Sequence, residues 1–533
     1  MDVILPILGN YMKIFFEFTT YSMILLTLYY FVYVPISNLI FHIYYAHRFH
    51  YTPCHPIYGH LRNLIPKFPD PSYDLKDSSK NFYELMMKLN DPVKGDNVSI
   101  MWIGWLPVYI ISGAAGIEAV LSKSNITKPH FYKFIGLRDG LVTSDPDKWR
   151  VRRKFIEPFF KTKRHQHFAS VMDKEISKLP DQIMDKIGQP YDIENLIHES
   201  ALSVILEISW GIPCDECHDM KRIWLDVLNK GEVYFIQRVY NPLFWYTGLY
   251  LRFEAGKKYQ ENLQRVVEGL EFVENLKQKE RETKIMAKMN NNDDGGKDNH
   301  LDIYDKDNGS LYDFIKHNNE TGKVQIDRDG IDEELLTMAA AGHETVSVGL
   351  RWTLFTLGNN LEIQERLYQE IIEIFPDDTP TDDLDKLAQC KFLDQCLKES
   401  LRLNPPIHGV SRQLDEDVTI NGSKILKNSV VILNFSATHH DAKIFPDPLK
   451  YDPDRWSLEN ETILPKGAFT PFALGPRNCI GYRYALLEMK IYLINIIRRF
   501  QFVSVRKPEE VTRRYEIALQ PNCPLEQIFT PRK

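Results

Sequence analysis

The sequence predicts a mainly helical α+β protein with one large globular body. Helical periodicity dominates residues 115–285 and returns in the last third of the chain, β-rich segments are short, and no internal repeat occurs. The length of 533 residues alone would allow several domains of ~100–200 residues each. Apolar residues make up 44% and charged residues 26%, which is typical of a folded protein and excludes wholesale disorder.

The charge balance and the cysteine content exclude two classes of protein. A net charge of -7 and a pI of about 6.2 argue against a dedicated nucleic-acid binder, which usually has a strongly basic domain. Seven cysteines scattered over the chain are too few for a disulfide scaffold. We therefore expect no nucleic-acid partner and at least one free thiol, because the cysteine count is odd.

The first predicted element is an apolar segment without charges. No Asp, Glu, Lys or Arg occurs between Phe18 and His47, and residues 21–34 are the most apolar part. A membrane span needs ~20 mostly apolar residues, which favours an uncleaved single-pass anchor over residues 1–47. The alternatives are a cleaved signal peptide, which lacks its cleavage site here, and a buried globular helix. Basic residues follow the run and predict a cytosolic body: Arg48, Arg62 and Lys67.

Composition also predicts the boundaries of the body. Five prolines indicate a stiff hinge over residues 48–72, so the main domain would occupy residues 73–533. Residues 290–300 are polar and of low complexity. With their flanks they predict a flexible surface insertion over about 286–328.

Local patterns predict the elements of the body in order. The β-rich residues 101–112 indicate a hairpin. A long apolar helix is expected over 332–357, and a second helix over 384–403 ends before two prolines. Short strands follow in 418–431, and the last strong helix covers 481–499.

One cysteine lies in a setting that favours chemistry. Residues 471–481 (PFALGPRNCIG) place Cys479 between two glycines, with Arg477 two residues before it and a predicted helix directly after it. Backbone N–H groups at a helix N-terminus and a nearby guanidinium favour a thiolate over a thiol. Such a thiolate is a metal ligand or a nucleophile, whereas the alternative is a buried structural cysteine in a glycine-rich turn.

This segment resembles the haem-ligand loop of the cytochrome P450 family, F-x-x-G-x-R-x-C-x-G. Phe472, Gly475, Arg477, Cys479 and Gly481 occupy all of its fixed positions. The resemblance implies a single large cytochrome P450 fold with small β-sheets behind an N-terminal transmembrane helix. It also implies that Cys479 is the iron ligand of a haem, that Arg477 pairs with a haem propionate, and that Phe472 packs near the sulfur.

Two more segments resemble haem-binding elements of the same family. The run WRVRRK implies that Trp149 and Arg153 bind a propionate, since arginine suits the bidentate geometry of a carboxylate. Arg412 resembles another propionate partner.

An E-x-x-R spacing resembles a further family element. Glu399 and Arg402 share one helix face, and the resemblance implies a buried triad with Arg455 of the segment YDPDRW. The alternative is an ordinary surface pair.

The long predicted helix carries AGHET at residues 341–345, which resembles the oxygen-activating signature of the family. The resemblance implies that Gly342 leaves room for O₂ and that Glu344 and Thr345 relay protons to reduced dioxygen. The alternative is a solvated helix face. Relatives that link haem through an ester have Glu at the position of Ala341, so we expect non-covalent haem b (iron protoporphyrin IX).

The combined segments resemble the eukaryotic microsomal group that includes fatty-acid ω-hydroxylases. This implies a haem-thiolate monooxygenase that inserts one oxygen atom from O₂ into a lipophilic substrate, a fatty acid or another lipid. It also implies that the enzyme receives electrons from NADPH through a flavoprotein reductase. The implied location is the endoplasmic reticulum membrane, with the catalytic domain on the cytosolic side. The alternative is a haem-thiolate isomerase or dehydratase that acts on hydroperoxides without O₂. Mostly apolar pocket positions favour the lipophilic substrate: Met338, Ala341, Ile407, Val410 and the neighbourhood of Ile517.

Two other segments invite functional interpretations. Between Arg150 and Arg164, seven basic residues face one acidic residue, which predicts either a docking surface for an acidic electron donor or a solvated face. The string CDECH, which includes Cys214 and Cys217, resembles a c-type haem attachment site. We interpret it as a loop with two thiols.

Overall fold

The computed structural model describes residues 18–25, 27–33, 36–37, 40, 50–51, 59–61, 75–90, 98–103, 106–122, 125–213, 215, 218–291, 308–322, 325–376 and 379–532. These residues fold mainly into helices with small sheets, which confirms the predicted fold class. Most of the predicted anchor over 1–47 and of the hinge over 48–72 lies outside them. Within the described residues, no helix has both the length and the apolar character that crossing a membrane requires.

The helices of the body are α1 (Leu75–Leu89), α2 (Ala114–Leu121), α3 (Pro146–Ile156), α4 (His165–Ile176), α5 (Leu179–Met184), α6 (Glu194–Trp210), α7 (His218–Tyr240), α8 (Thr247–Tyr250), α9 (Glu254–Asn291), α10 (Leu311–Thr321), α11 (Arg328–Gly358), α12 (Leu361–Ile374), α13 (Leu384–Gln389), α14 (Lys391–Leu403), α15 (Phe435–His439), α16 (Leu458–Glu461) and α17 (Tyr482–Ile497). The strands are β1 (His50–Tyr51), β2 (Val98–Ile103), β3 (Leu106–Ile111), β4 (Pro190–Tyr191), β5 (Gly409–Gln413), β6 (Val418–Ile420), β7 (Ser423–Ile425), β8 (Val430–Asn434), β9 (Phe500–Ser504), β10 (Arg513–Tyr515), β11 (Leu519–Pro521) and β12 (Gln527–Pro531).

The strands form a five-stranded sheet and three smaller sheets within the described residues. The larger sheet has the order β1-β2-β3-β8-β5. Strands β2 and β3 pair antiparallel, with Val98 opposite Ile111, which confirms the predicted hairpin. Strand β8 pairs parallel to β3 and antiparallel to β5, so a segment from the last third of the chain returns to this hairpin. The smaller sheets are β10-β11, β4-β12-β9 and β6-β7.

Helix α11 runs through the core and packs on α6 and α17. The Asp327 side chain caps its N-terminus by accepting the Gly330 N–H, and the helix ends before Asn359. Its C-terminal half is buried on all sides, which explains the continuous apolar pattern in the sequence. Trp352 fixes the helix to strand β11, because its indole N–H donates to the Leu519 carbonyl at 2.7 Å.

The structure differs from the predicted elements in two places. The helix expected over 384–403 is divided into α13 and α14 at Cys390, because the Glu370 carboxylate accepts the N–H groups of Phe392 and Leu393 and starts a new helix there. Part of the insertion expected over 286–328 is the packed helix α10. A capping box at Ser310 begins α10, and its apolar face is buried against α6.

A buried ion pair joins two residues near the C-terminal end of α14. Both side chains of Glu399 and Arg402 are fully buried, and the guanidinium donates to the carboxylate at two distances of 2.8 Å. Arg455 and the indole N–H of Trp456 donate to the same carboxylate at 3.3 and 3.0 Å. The triad implied by the resemblance is therefore present, and the alternative of a surface pair is excluded.

The ion pair is connected to the segment that carries Cys479. Arg402 also donates to the carbonyl of His439 at 2.8 Å. The Nε2 atom of His439 in turn accepts the Thr470 N–H at 3.0 Å, directly before residues 471–481. Burial holds the pKa of His439 well below its usual range, so the ring stays neutral and can accept this bond. The triad therefore fixes the start of the cysteine loop.

We predict that Arg402→Leu lowers the free energy of unfolding by about 3–5 kcal/mol, because it leaves the Glu399 carboxylate buried without its partner. Arg150→Leu is the matched control, since Arg150 pairs with Asp147 at the same i,i+3 spacing but in solvent. It should cost less than about 1 kcal/mol. Urea denaturation followed by circular dichroism measures both values. Equal losses in the two variants would contradict the role given to the buried pair.

Candidate active site

An internal cavity of about 470 Å³ lies between α11, α7 and the loop that carries Cys479. All of the apolar positions expected at the pocket line it, including Met338, Val410 and Ile517. Other apolar and aromatic side chains complete much of the wall: Ile135, Leu228, Phe235, Val239, Tyr240 and Trp245. The cavity therefore suits a lipophilic ligand and is large enough to be a binding site.

The cysteine loop folds tightly on itself. The Cys479 N–H donates to the Phe472 carbonyl at 3.0 Å, and the Asn478 N–H donates to the Gly475 carbonyl at 3.2 Å. Helix α17 begins directly after Gly481, which is its N-cap. Phe472 and Cys479 both line the cavity, so the loop presents the sulfur to it.

Gly475 is required by the backbone of this loop. Its φ is +76°, which favours glycine, and a Cβ there would collide with the Leu121 carbonyl. Gly481 differs, because its φ is -96° and the space where a Cβ would point is open. Its N–H instead lies close enough to Cys479 to act on the thiol.

The Cys479 side chain is exposed to the cavity although it lies deep inside the protein. Burial raises the pKa of its thiol, whereas the Gly481 N–H and the Arg153 guanidinium lower that pKa. Arg153 is thus a guanidinium that acts on the sulfur, and burial outweighs its effect on the pKa. A thiol in such a place ionises when a metal cation binds it, which favours a metal ligand over a free nucleophile.

Arg153 braces the loop from helix α3. Its guanidinium donates to the backbone carbonyl of Asn478 at 2.8 Å and to the Asn478 side chain at 3.0 Å. These two bonds hold the residue before Cys479. Arg153 also lines the cavity, so its predicted contact with a propionate stays a prediction.

Arg477 lies buried between backbone carbonyls. It donates to Ile126 and Ser144 at 2.6 Å each, and its guanidinium lies over the Trp149 ring, 5.4 Å from the centroid. Its Nε atom has no hydrogen-bond partner within the described residues. Burial and the nearby Arg412 lower the pKa of Arg477 to about 10.

Three cationic side chains meet on this side of the cavity. Burial, together with Arg412 and Arg477, holds the pKa of Lys128 well below its usual range. Lys128 and Arg477 line the cavity, whereas Arg412 lies inside the wall behind them, with its Nε unpartnered. In the part of the chain that the structure describes, none of the three forms a salt bridge with a carboxylate. Buried cations need a counter-charge, so the cluster fits the propionates of a haem.

Lys128 is a site residue that the sequence did not reveal. It belongs to no motif, and only the fold brings it to Arg412 and Arg477. The two thiols of the CDECH segment, Cys214 and Cys217, lie outside the described residues.

The AGHET segment of α11 forms another part of the wall. Ala341, Glu344 and Thr345 line the cavity, and the Thr345 hydroxyl donates to the Ala341 carbonyl at 2.8 Å. The expectation that Gly342 leaves room for O₂ stays a prediction, and Gly342 is not among the residues that line the cavity. A Cβ there would lie 2.7 Å from Cγ1 of Ile205, so this glycine permits the close packing of α6 on α11.

Glu344 is held in a polar pocket at the cavity wall. Its Oε1 accepts the Gln520 side-chain N–H at 2.7 Å. Its Oε2 lies 3.6 Å from Nδ1 of His198 and 3.8 Å from Nε2 of His343. Burial is the main cause that raises the pKa of Glu344 to about 7. The alternative of a solvated helix face is therefore excluded, and the carboxyl can take up and release a proton near neutral pH.

We predict that Gly475→Ala disrupts the cysteine loop and lowers the free energy of unfolding by more than the conformational cost of its positive φ, which is about 1–2 kcal/mol. Gly422→Ala is the matched control, since Gly422 has a φ of +80° but open space around a Cβ. It should lose only the conformational cost. Thermal and urea unfolding of both variants measure the difference, and equal losses would contradict the collision with Leu121.

Comparison with known proteins shows the family of the chain. The family model described as cytochrome P450 matches residues 72–525. Cytochrome P450 4V2 of Mus musculus is 29% identical over 454 residues, which covers 84% of this chain and 85% of that protein. Probable cytochrome P450 4ac3 of Drosophila melanogaster is 30% identical over 435 residues and covers 80% and 81%. Cytochrome P450 4c21 of Blattella germanica is 28% identical over 438 residues and covers 81% and 86%.

The family match spans most of the chain and includes the cysteine loop, α11 and the buried triad. It implies a haem-iron cofactor, O₂, a redox partner and a lipophilic substrate. The chain therefore belongs to the cytochrome P450 family and is an oxidoreductase of the monooxygenase class.

Proposed function

We propose that this protein is a membrane-anchored haem-thiolate monooxygenase that hydroxylates a fatty acid or a similar lipid. The observation that carries the proposal is that Cys479 and the Glu344–Thr345 pair line the same cavity. One wall offers a metal ligand beside a cationic cluster, and the other offers an acid and an alcohol. This division suits the binding of an anionic metal cofactor on one side and proton delivery on the other.

The residues of the cationic side would hold haem b without a covalent bond. Cys479 is the proposed iron ligand, and Trp149, Arg477 and Lys128 are the proposed partners of the propionates, with Arg412 behind them. Phe472, Gly475 and Gly481 shape the loop, and Arg153 braces it. Ala341 offers no carboxyl group for an ester. The bound group would supply the activation of O₂ and the storage of electrons.

A path of titratable side chains leads from the surface to the cavity. Glu194 is 40% exposed, and its Oε1 lies 3.9 Å from Nε2 of His198. The other ring nitrogen of His198 faces Glu344 at 3.6 Å. Both gaps can be closed by one water or a small rotation. In the proposed function, His198 passes protons from Glu194 to Oε2 of Glu344, and Thr345 holds the last hydroxyl at the cavity.

The apolar wall of the cavity supports a lipid substrate. Side chains of α7 and the turn after it line the cavity, including Phe235, Val239 and Trp245. The three relatives reported above all carry names of cytochrome P450 family 4, and the sequence resembles the group with fatty-acid ω-hydroxylases.

The proposed location is the endoplasmic reticulum membrane, with the catalytic domain on the cytosolic side. The charge-free run before residue 48 supports a single-pass anchor over 1–47. Its described large apolar side chains are exposed rather than packed on the body: Phe18, Tyr21, Met23, Leu25 and Leu28. The proposed hinge over 48–72 would join it to the domain over 73–533.

An NADPH-dependent flavoprotein reductase is the proposed electron donor. Lys154, Lys161 and Lys163 are exposed on the segment predicted to dock it. This segment lies near the cysteine loop, since Arg483 of α17 donates to the Thr162 hydroxyl at 3.2 Å. Arg164 does not belong to this surface, because it is buried and donates to the Gly309 carbonyl. An acidic patch on the reductase would complement the three lysines.

The function is tested with purified holoprotein, NADPH, a microsomal flavoprotein reductase and ¹⁸O₂ on a series of fatty acids. We predict a hydroxylated product that carries one ¹⁸O atom and NADPH consumption that depends on the reductase. Fatty-acid hydroperoxides without NADPH form the second arm. Rapid rearrangement of hydroperoxides, with no product from ¹⁸O₂, would contradict the monooxygenase and support the isomerase or dehydratase.

The raised pKa of Glu344 predicts a pH dependence of the yield of product per NADPH consumed. The carboxyl is mostly protonated below pH 7 and mostly ionised above it, so coupling should fall as the pH rises through about 7. Glu344→Gln should lower coupling about 10-fold or more and remove this dependence, because positioned acids contribute about 10²–10⁴-fold.

Glu334→Gln is the matched control for this prediction. Glu334 is buried on the same helix with a pKa of about 7, but it does not line the cavity. Its variant should keep the pH profile of the unmodified enzyme. An unchanged profile in Glu344→Gln, or a lost one in Glu334→Gln, would contradict the role of Glu344.

A further inference from the structure

A second cluster of potential metal ligands lies beside the cavity, away from Cys479. His198 of α6 and the adjacent His343 and Glu344 of α11 each offer one donor atom, and these three atoms lie within 4.8 Å of one another. The Oε2 atom of Glu344 is 3.6 Å from Nδ1 of His198 and 3.8 Å from Nε2 of His343.

His343 provides a second and independent observation. Its Nδ1 lies 2.8 Å from the Ala339 carbonyl, which can only accept, so Nδ1 carries the proton and Nε2 carries a lone pair. The residue is 1% exposed, and Nε2 has no hydrogen-bond partner within the described residues. A buried acceptor without a partner is costly. A backbone carbonyl on the other ring nitrogen is also the usual support of a histidine that binds a metal.

The charges around the cluster favour a cation. Burial lowers the pKa of His198 to about 3 and of His343 to about 4, so both rings are neutral and can donate lone pairs. The charged groups that act on the cluster are acidic Glu194 and Glu516 and basic Arg351. Two of these groups form ion pairs, Arg351 with Asp192 and Glu516 with Arg514. Glu232 is a further carboxyl group close to Glu344.

We propose that His198, His343 and Glu344 form a binding site for a divalent transition-metal cation, with Zn²⁺ as the best match. Two imidazoles and one carboxylate are a common protein ligand set for zinc, and a water on the cavity side would complete four ligands. Tetrahedral zinc with bonds of about 2.0–2.2 Å places its ligands about 3.3–3.5 Å apart. The two measured distances are a few tenths of an ångström longer, and the two ring nitrogens lie within 4.8 Å of each other, so side-chain rotations would close the set around the ion.

Zinc binding would inhibit the enzyme reversibly, and this part rests on the proposed function. The ion forms bonds to two neutral imidazoles and to the Glu344 carboxylate, and it releases the proton that Glu344 otherwise holds. Glu344 and His198 are then unavailable for proton delivery to the cavity. The ion reaches the site from the surface near Glu194, which is 40% exposed and lies next to His198.

Binding is tested first, and independently of the proposed function. Haem-loaded Cys214→Ser/Cys217→Ser protein is titrated with Zn²⁺ against a chromophoric zinc indicator, because the CDECH thiols would otherwise compete for the ion. We expect one tight site per chain. His198→Ala and His343→Ala should each weaken it by about 10–100-fold or more, since even the partners that support a ligand contribute that much.

His130→Ala is the control, since His130 is exposed and lies outside the cluster. The His130→Ala variant should bind zinc as tightly as the Cys214→Ser/Cys217→Ser protein does. X-ray absorption at the zinc edge of the zinc-bound Cys214→Ser/Cys217→Ser protein should show nitrogen and oxygen ligands without sulfur. The proposed zinc site would be overturned if the Cys214→Ser/Cys217→Ser protein had no tight site. It would also be overturned if zinc affinity were unchanged in both His198→Ala and His343→Ala.

The second arm measures product per NADPH with and without Zn²⁺. We expect zinc to lower coupling in the Cys214→Ser/Cys217→Ser protein and a chelator to restore it. His343→Ala, which changes a proposed ligand that the proposed proton path does not use, should be insensitive to the same zinc concentration. Tight binding without any loss of coupling would overturn the inhibition and, with it, the proposed proton delivery through Glu344. Absence of binding would overturn the site alone and leave the proposed function unaffected.

Discussion

The position of Cys479 depends on a buried ion pair in another part of the chain. Arg402 is held by both oxygens of Glu399 and donates to the His439 carbonyl, and His439 accepts the N–H of Thr470 at the start of the cysteine loop. A buried pair of this kind is costly to break, so it transmits a fixed geometry instead of merely adding stability. The loop needs that geometry, because its sulfur must face α11 across one cavity.

The two walls of this cavity have opposite electrostatic character. Lys128 and Arg477 stand on the side of the cysteine loop, and Glu344 stands on the side of α11. Burial shifts the pKa of each of these groups toward its neutral form. The carboxylates of an anionic cofactor would supply counter-charges to Lys128 and Arg477 on the first wall. On the second wall, Glu344 holds a proton that it can transfer. The fold therefore separates the binding of the proposed cofactor from the handling of protons.

Sequence reasoning identified the parts of the site that are carried by contiguous motifs. The cysteine loop, the AGHET segment and the E-x-x-R pair each lie within a few residues, so their resemblance to the motifs of the family indicated their chemistry. It missed Lys128 and His198, because these residues reach the site only through contacts between distant elements. It also assigned Arg164 to the surface, although Arg164 is buried, and it did not show that Gly342 permits the close packing of Ile205. A one-dimensional pattern cannot show which neighbour a helix face meets.

The central claim is that the Cys479 thiolate ligates a haem iron, and the carbon monoxide difference spectrum of the dithionite-reduced protein tests it most directly. If Cys479 is the iron ligand, we expect a strongly red-shifted Soret band in the unmodified protein and in Cys523→Ala, which changes a cysteine outside the cavity wall. The band should be absent from Cys479→Ala. A red-shifted band that persists in Cys479→Ala, or its absence from the haem-loaded unmodified protein, would contradict the account.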